Sequence, residues 1–241
     1  MSRQMSFSII TLTMIGFMFF GTVRAADFQN LTAQELKTKM DSGGSVMVVN
    51  PLSDIEFNEG HIPGSVNIPF HLMPTTDQLP EDKSTPIVTY CLGPKCIFYK
   101  KAAMLLADRG YPHVITFKGG VPAWVKAGFP LEQKGALAKT EIPTVNADAL
   151  NGMLARVQIV DIRSPSLYAM GWIPSSKKIP LGLLSAEYAD IPKDKPIVVV
   201  DHAGKQVLVA GRFLKSKGYD DVQRLQGGLM VWSRKGFALE R

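Results

Sequence analysis

Both cysteines of this chain lie in one short segment, Cys91-Leu92-Gly93-Pro94-Lys95-Cys96. It follows an apolar, β-rich run (Ile87–Tyr90) and precedes a stretch with helical periodicity, so it reads as a strand-to-helix loop. A thiol there faces free backbone N–H groups and the positive end of a helix dipole, and both favour a thiolate. Lys95 adds a positive charge. At an unperturbed pKa of ~8.5 only about 3% of a thiol is ionised at pH 7, and a fall to ~7 raises this to about half. Such a shift needs ~2 kcal/mol, within reach of a helix terminus and a nearby cation. The amides from Leu92 to Cys96 are also suited to cradle an oxyanion or the outer sulfur of a persulfide, and Gly93 allows the backbone to turn them inward. Cys91 is therefore the candidate nucleophile, and Leu92, Gly93, Pro94 and Lys95 are the candidate substrate-binding residues.

Cys96 has two readings. It packs as a small apolar residue, or it reaches Cys91 across the loop and attacks a Cys91 persulfide, releasing sulfide and leaving a disulfide.

The elements around this loop occur twice. Gly60-His61-Ile62-Pro63-Gly64 returns as Gly171-Trp172-Ile173-Pro174-Ser175, and Ile68-Pro69 as Ile179-Pro180, at an offset of 111. Pro86–Tyr90 matches Pro196–Val200 at 110, and Gly119-Gly120 with Trp124 matches Gly227-Gly228 with Trp232 at 108. Two homologous domains are expected, 26–131 and 145–241, with a linker at 132–144. Each alternates short β-branched runs with helical stretches, which is the pattern of a small parallel β-sheet flanked by helices, an α/β fold. In the first half, Thr32 and Glu35 form a capping box before a helix, strands are expected at 46–49, 87–90 and 113–116, and a helix at 97–108 ends at Gly110.

These motifs together resemble the rhodanese family of sulfurtransferases: Gly60–Gly64 with Asn67-Ile68-Pro69, Tyr90-Cys91 opening a loop, Gly119-Gly120 followed by Trp124, and Asp161-Ile162-Arg163 as the acidic-x-Arg element of the second half. The resemblance spans both halves and implies two rhodanese-like domains. It also implies attack by Cys91 on sulfane sulfur in thiosulfate or a similar donor, then transfer of that sulfur to a thiol or cyanide. It implies no cofactor and no metal. The implied partners are a small sulfur-containing anion or thiol, and a periplasmic thiol reductant or sulfur-acceptor protein.

The second half departs from the pattern at Asp201, which stands where a nucleophile would and cannot form a persulfide, so that domain reads as catalytically silent. The first half departs at Asn50-Pro51-Leu52, which replaces the acidic-x-Arg element, and at Lys95-Cys96-Ile97, where the family has a basic residue and then Ser or Thr. Two other functions fit the residues: a thiol–disulfide oxidoreductase using Cys91 and Cys96, and a binding module without turnover. A phosphatase fits worst, because no arginine closes the loop. His61, Trp124 and Trp232 read as packing residues, Lys100 and Lys101 as a solvated face, and the neighbours Asp201 and His202 as unable to converge as an acid–base pair.

Composition narrows the field further. A chain of 241 residues, 46% hydrophobic and 20% charged, is neither disordered nor fibrous. Two cysteines exclude a disulfide-stapled mini-fold and a four-cysteine zinc site, and four histidines without ligand spacing give no metal motif. The net charge of +6 is spread along the chain and gives no nucleic-acid footprint. Residues 1–25 have a cation (Arg3), an apolar run from Phe7 to Val23, and Val23-Arg24-Ala25 as a cleavage site. They read as a signal peptide cut after Ala25, leaving a periplasmic protein with no membrane segment.

Overall fold

The computed structural model describes residues 28–241, and the expected leader lies outside them. Helix α1 (Ala33–Asp41) starts at the expected capping box: the Glu35 N–H donates to Thr32 Oγ1 at 3.2 Å and the Thr32 N–H to Glu35 Oε2 at 2.7 Å. Then come β1 (Met47–Asn50), α2 (Asp54–Glu59), β2 (Val66–Asn67), β3 (Ile87–Tyr90), α3 (Phe98–Asp108), β4 (Val114–Phe117) and α4 (Gly120–Lys126). The strands lie in the order β2-β1-β3-β4, all parallel, with Met47 beside Ile87 and Ile87 beside Val114.

The second half repeats this plan with β5 (Thr144–Val145), α5 (Ala147–Asn151), β6 (Gln158–Asp161), β7 (Lys177–Lys178), α6 (Leu184–Glu187), β8 (Ile197–Val200), α7 (Val207–Ser216), β9 (Val222–Leu225) and α8 (Gly228–Arg234). Its order is β5-β9-β8-β6-β7, again parallel. The edge strand β5 has a counterpart in domain one, where a single parallel bridge joins Asn30 to Thr116.

Every residue of β3 and β8 is buried, as parallel strands covered on both faces require. Alternate residues serve opposite cores. Val88 and Tyr90 pack with Leu36, Ile62, Phe117 and Trp124, whereas Ile87 packs with Ile68, Ala102 and Leu106 under α3. The two tryptophans hold matched positions: Trp124 Nε1 donates to Pro130 O at 2.8 Å and Trp232 Nε1 to Ala238 O at 2.9 Å. His61 is buried, stacks on Phe57 at 3.7 Å and places Nδ1 3.0 Å from Phe57 O, a packing role.

Strand and helix bounds shift by a residue from expectation, since hydrogen bonding rather than apolar runs ends an element. Helix α2 was not expected. Its start signal is nevertheless in the sequence: Ser53-x-x-Glu56 is a second capping box, with the Glu56 N–H donating to Ser53 Oγ at 3.1 Å. Helix α2 joins the two halves. Ile55 belongs to the core of domain two, beside Ile142, Leu181 and Ala210, and Gln206 Nε2 donates to Glu56 Oε1 at 2.9 Å.

Candidate active site

β3 ends at Tyr90, and its side chain ties the next residue's surroundings to the Gly60–Asn67 turn. The Ile62 N–H donates to the Tyr90 hydroxyl at 3.1 Å. That hydroxyl lies 2.7 Å from Ser65 Oγ, which itself donates to Ile62 O at 2.6 Å. Burial pushes the Tyr90 phenol above its ordinary value.

The chain then leaves the sheet at Cys91. Its carbonyl accepts the Val121 N–H at 3.1 Å, so the Gly119-Gly120 turn closes beneath the loop. A Cβ on Gly120 would lie 2.1 Å from Cys91 O, at φ +56°, and this close approach is the physical reason for glycine there. The second domain repeats the device: the Leu229 N–H donates to Asp201 O at 2.8 Å, and a Cβ on Gly228 would lie 2.6 Å from that oxygen.

Gly93 adopts φ +131° and its carbonyl accepts the Cys96 N–H at 3.0 Å. This turn brings Cys96 back over Cys91, and the two form a disulfide with Cα atoms 6.5 Å apart. Of the two readings of Cys96, the structure therefore takes the one that pairs it with Cys91. A nucleophile also needs an accessible sulfur. The Cys91 sulfur is not open in this oxidised form: the residue is 0% exposed, and Cys96 covers it from the side of the cleft that Cys96 itself lines.

The amide cradle is seen most plainly in domain two. The Asp201 side chain accepts the N–H groups of Gly204, Lys205 (2.8 Å) and Gln206 (2.7 Å), just before α7. A carboxylate thus fills the anion position at that helix start, while His202 Nδ1 makes no hydrogen bond among the described residues. No acid–base pair forms there. In domain one, the Leu92, Gly93 and Lys95 amides have no acceptor among the described residues.

The two departures at the acidic-x-Arg element also have a geometry. Asp161 and Arg163 form a buried ion pair, with Arg163 Nη2 2.6 Å from Asp161 Oδ2, and the Arg163 N–H donates to Asp161 Oδ1 at 3.1 Å. Asn50 keeps only the second of these: its Oδ1 accepts the Leu52 N–H at 2.9 Å. Leu52, in the arginine's place, is buried and lines a cleft.

That cleft, of about 870 Å³, runs between the domains. The expected residues Leu92, Gly93, Pro94, Lys95 and Cys96 form one wall. The opposite wall was not expected: Lys205, Gln206, Leu208, Val209 and Arg212 come from the start of α7 and the loop before it. No local pattern marks them as site residues, because they lie more than a hundred positions away and meet the loop only when α2 docks on α7. Among the described residues no cluster of three His, Cys, Asp or Glu side chains is placed to hold a metal.

A twice-repeated parallel α/β domain with a cysteine loop between a buried strand and a helix start defines a class, and comparison with known proteins agrees. The Rhodanese-like domain family matches residues 32–127 and again 146–235. The chain belongs to the rhodanese-like family, as a tandem of two such domains. A sulfurtransferase of Allochromatium vinosum is 32% identical over 98 residues, covering 39% of this chain and 92% of that protein. The thiosulfate sulfurtransferase GlpE of Pseudomonas fluorescens is 36% identical over 91 residues, covering 38% of this chain and 82% of that one. Among solved structures, a thiosulfate sulfurtransferase from Pseudomonas aeruginosa is similar over 83% of this chain and 43% of its own length, at 20% identity and a TM-score of 0.41. A rhodanese-type sulfurtransferase is the class of enzyme these relatives support.

Proposed function

We propose that the chain carries sulfane sulfur on Cys91 and that Cys96 is the resolving thiol. The observation that carries this reading is the meeting of the two sulfurs at the head of α3, where Cys96 lines the interdomain cleft. In the reduced protein the Cys91 thiolate attacks the outer sulfur of thiosulfate. The S–S bond of the donor breaks, its electron pair leaves with sulfite, and Cys91–S–S⁻ remains. An external thiol or cyanide then takes the outer sulfur and restores the thiolate. Alternatively, Cys96 attacks the Cys91 sulfur, its proton leaves with the outer sulfur as HS⁻, and the disulfide forms. An external dithiol returns that disulfide to two thiols. The unpartnered loop amides are available to hold the persulfide's negative charge. Asp201 occupies the corresponding amides of domain two, which supports a non-catalytic role for that domain.

The disulfide also favours a second reading, thiol–disulfide exchange through the same pair without sulfur transfer. We propose, from the leader read in the sequence, that either activity works in the periplasm with a small sulfur anion or thiol and a thiol reductant as partners. Intact mass of the reduced protein after exposure to thiosulfate separates the readings. One added sulfur is expected on Cys96→Ser and none on Cys91→Ser. Redox cycling that needs both cysteines, with no adduct on any form, refutes sulfur transfer and leaves exchange.

A further inference from the structure

Helix α2 presents Glu56 and Glu59 to the interdomain cleft and turns Asp54 and Asn58 toward a second cavity, of about 410 Å³, on its other side. This cavity lies away from the cysteine loop, where domain one, the linker and domain two meet. Asp54 and Asn58, one helical turn apart, form the first wall, linker residues 135–138 the second, and Phe213, Ser216 and Lys217 at the end of α7 the third. Buried Ile55 and Phe213 and half-buried Leu137 supply its hydrocarbon.

Asp54 and Lys217 are the two charged side chains on these walls, and their signs are opposite. Neither is in an ion pair among the described residues. Asp54 Oδ1 is buried and accepts no hydrogen bond, which leaves that carboxylate short of donors. The Lys217 ammonium is held against two rings, 5.3 Å from the Phe213 centroid and 5.4 Å from that of Tyr188. The linker adds main-chain groups. The Lys134 N–H donates to Asn58 O at 3.1 Å and the Leu137 N–H to Glu59 Oε1 at 2.6 Å, so the linker is pinned to α2 at both ends. Between these pins the N–H and C=O groups of Gly135 and Ala136 have no partner among the described residues. A carboxylate and an ammonium without partners, hydrocarbon beside them and two free peptide groups complement a ligand that is itself a short peptide, charged oppositely at its ends. At ~30 Å³ per water the cavity holds about fourteen waters, the scale of a dipeptide.

We infer that this cavity binds a free dipeptide with an apolar side chain, its α-ammonium on Asp54, its α-carboxylate on Lys217 and its peptide group on the linker main chain at Gly135 and Ala136. Because the walls come from both domains, the bound ligand stabilises their docking. The inference does not depend on the chemistry at Cys91, and a failure of sulfur transfer leaves it standing.

The test is calorimetric titration of the full oxidised chain with the dipeptide Ala-Leu, with its N-acetyl form, with its C-terminal amide, and with leucine alone. Ala-Leu is expected to bind saturably with a Kd of about 1 mM or tighter. Blocking either charged end is expected to weaken binding at least about tenfold, and so are Asp54→Asn and Lys217→Gln, each checked for a native melting transition. Leucine keeps both charges and lacks the peptide group, and is expected to bind at least about threefold more weakly than Ala-Leu. The blocked forms need no variant, so the inference stays exposed even if neither substituted protein folds. No saturable binding of Ala-Leu at about ten times that concentration overturns it. Blocked forms that bind as tightly as Ala-Leu, or an unchanged affinity in folded Asp54→Asn or Lys217→Gln, overturn the placement of the charged ends. Leucine binding as tightly as Ala-Leu overturns the assignment of a peptide.

Discussion

Sulfur transfer through Cys91 requires a folded protein with its disulfide open, and the loop geometry says how much stability that opening removes. Cys91 and Cys96 are five positions apart, so the bond closes a ring of about six residues. In the chain-entropy account the denatured state loses ~2 kcal/mol of freedom for a loop that short, against ~4.7 kcal/mol for a hundred-residue loop. Little else is forfeited on reduction, because a buried thiol behaves as a small apolar side chain and Cys91 keeps its place through the Val121 N–H on its carbonyl. For a domain of roughly a hundred residues, ~2 kcal/mol corresponds to a drop of roughly 10 °C in Tm. Thermal and urea unfolding of oxidised protein, fully reduced protein and Cys96→Ser provide the measurement. The last two are expected to melt cooperatively about 10 °C below the first, with native circular dichroism at 25 °C. Loss of the folded state on reduction, or a deficit above about 5 kcal/mol, would make the bond a structural staple and refute the reasoning that assigns it to chemistry.

Other substitutions test the frame that holds the loop. Gly120→Ala drives a Cβ into Cys91 O, so urea unfolding should show a loss of ~3 kcal/mol or more, whereas Gly128→Ala, at φ +85° with nothing within 4 Å, should lose only ~1 kcal/mol. Equal losses would show that the close approach is not what demands glycine. Tyr90→Phe strands the buried Ile62 N–H and should cost ~1–3 kcal/mol at pH 7. Because burial raises the phenol's folded pKa above its unfolded value of ~10, the wild-type advantage should be whole below pH ~10 and shrink as pH rises through the folded value. Parallel pH–stability curves for the two proteins would contradict this. Arg163→Met leaves the Asp161 carboxylate buried without its partner and should cost ~3–5 kcal/mol, read as a lower urea midpoint for domain two; an unchanged midpoint would remove the ion pair from the account of that core.

Much of this protein is written in short stretches of sequence. The parallel α/β class, the Thr32–Glu35 capping box and the cysteine loop depend on residues a few positions apart, and the physics of apolar periodicity, caps and turns acts over that range; the duplication is legible because the same short motifs return about 110 residues later. The α2 helix belonged to the same legible part, since Ser53 and Glu56 mark it as plainly as Thr32 and Glu35 mark α1. The functional surroundings were decided elsewhere. Spacing left Cys96 with two fates, and the left-side backbone of Gly93 and the turn to Cys96 N–H chose between them. That Asp201 fills its own ring of amides depends on where three N–H groups point, which residue types do not encode. The far wall of the cleft depends on Ile55 and Glu56 docking against α7, some 150 positions along the chain. Contacts of that separation follow from how two apolar surfaces fit once both are formed, and no local pattern in the chain announces them.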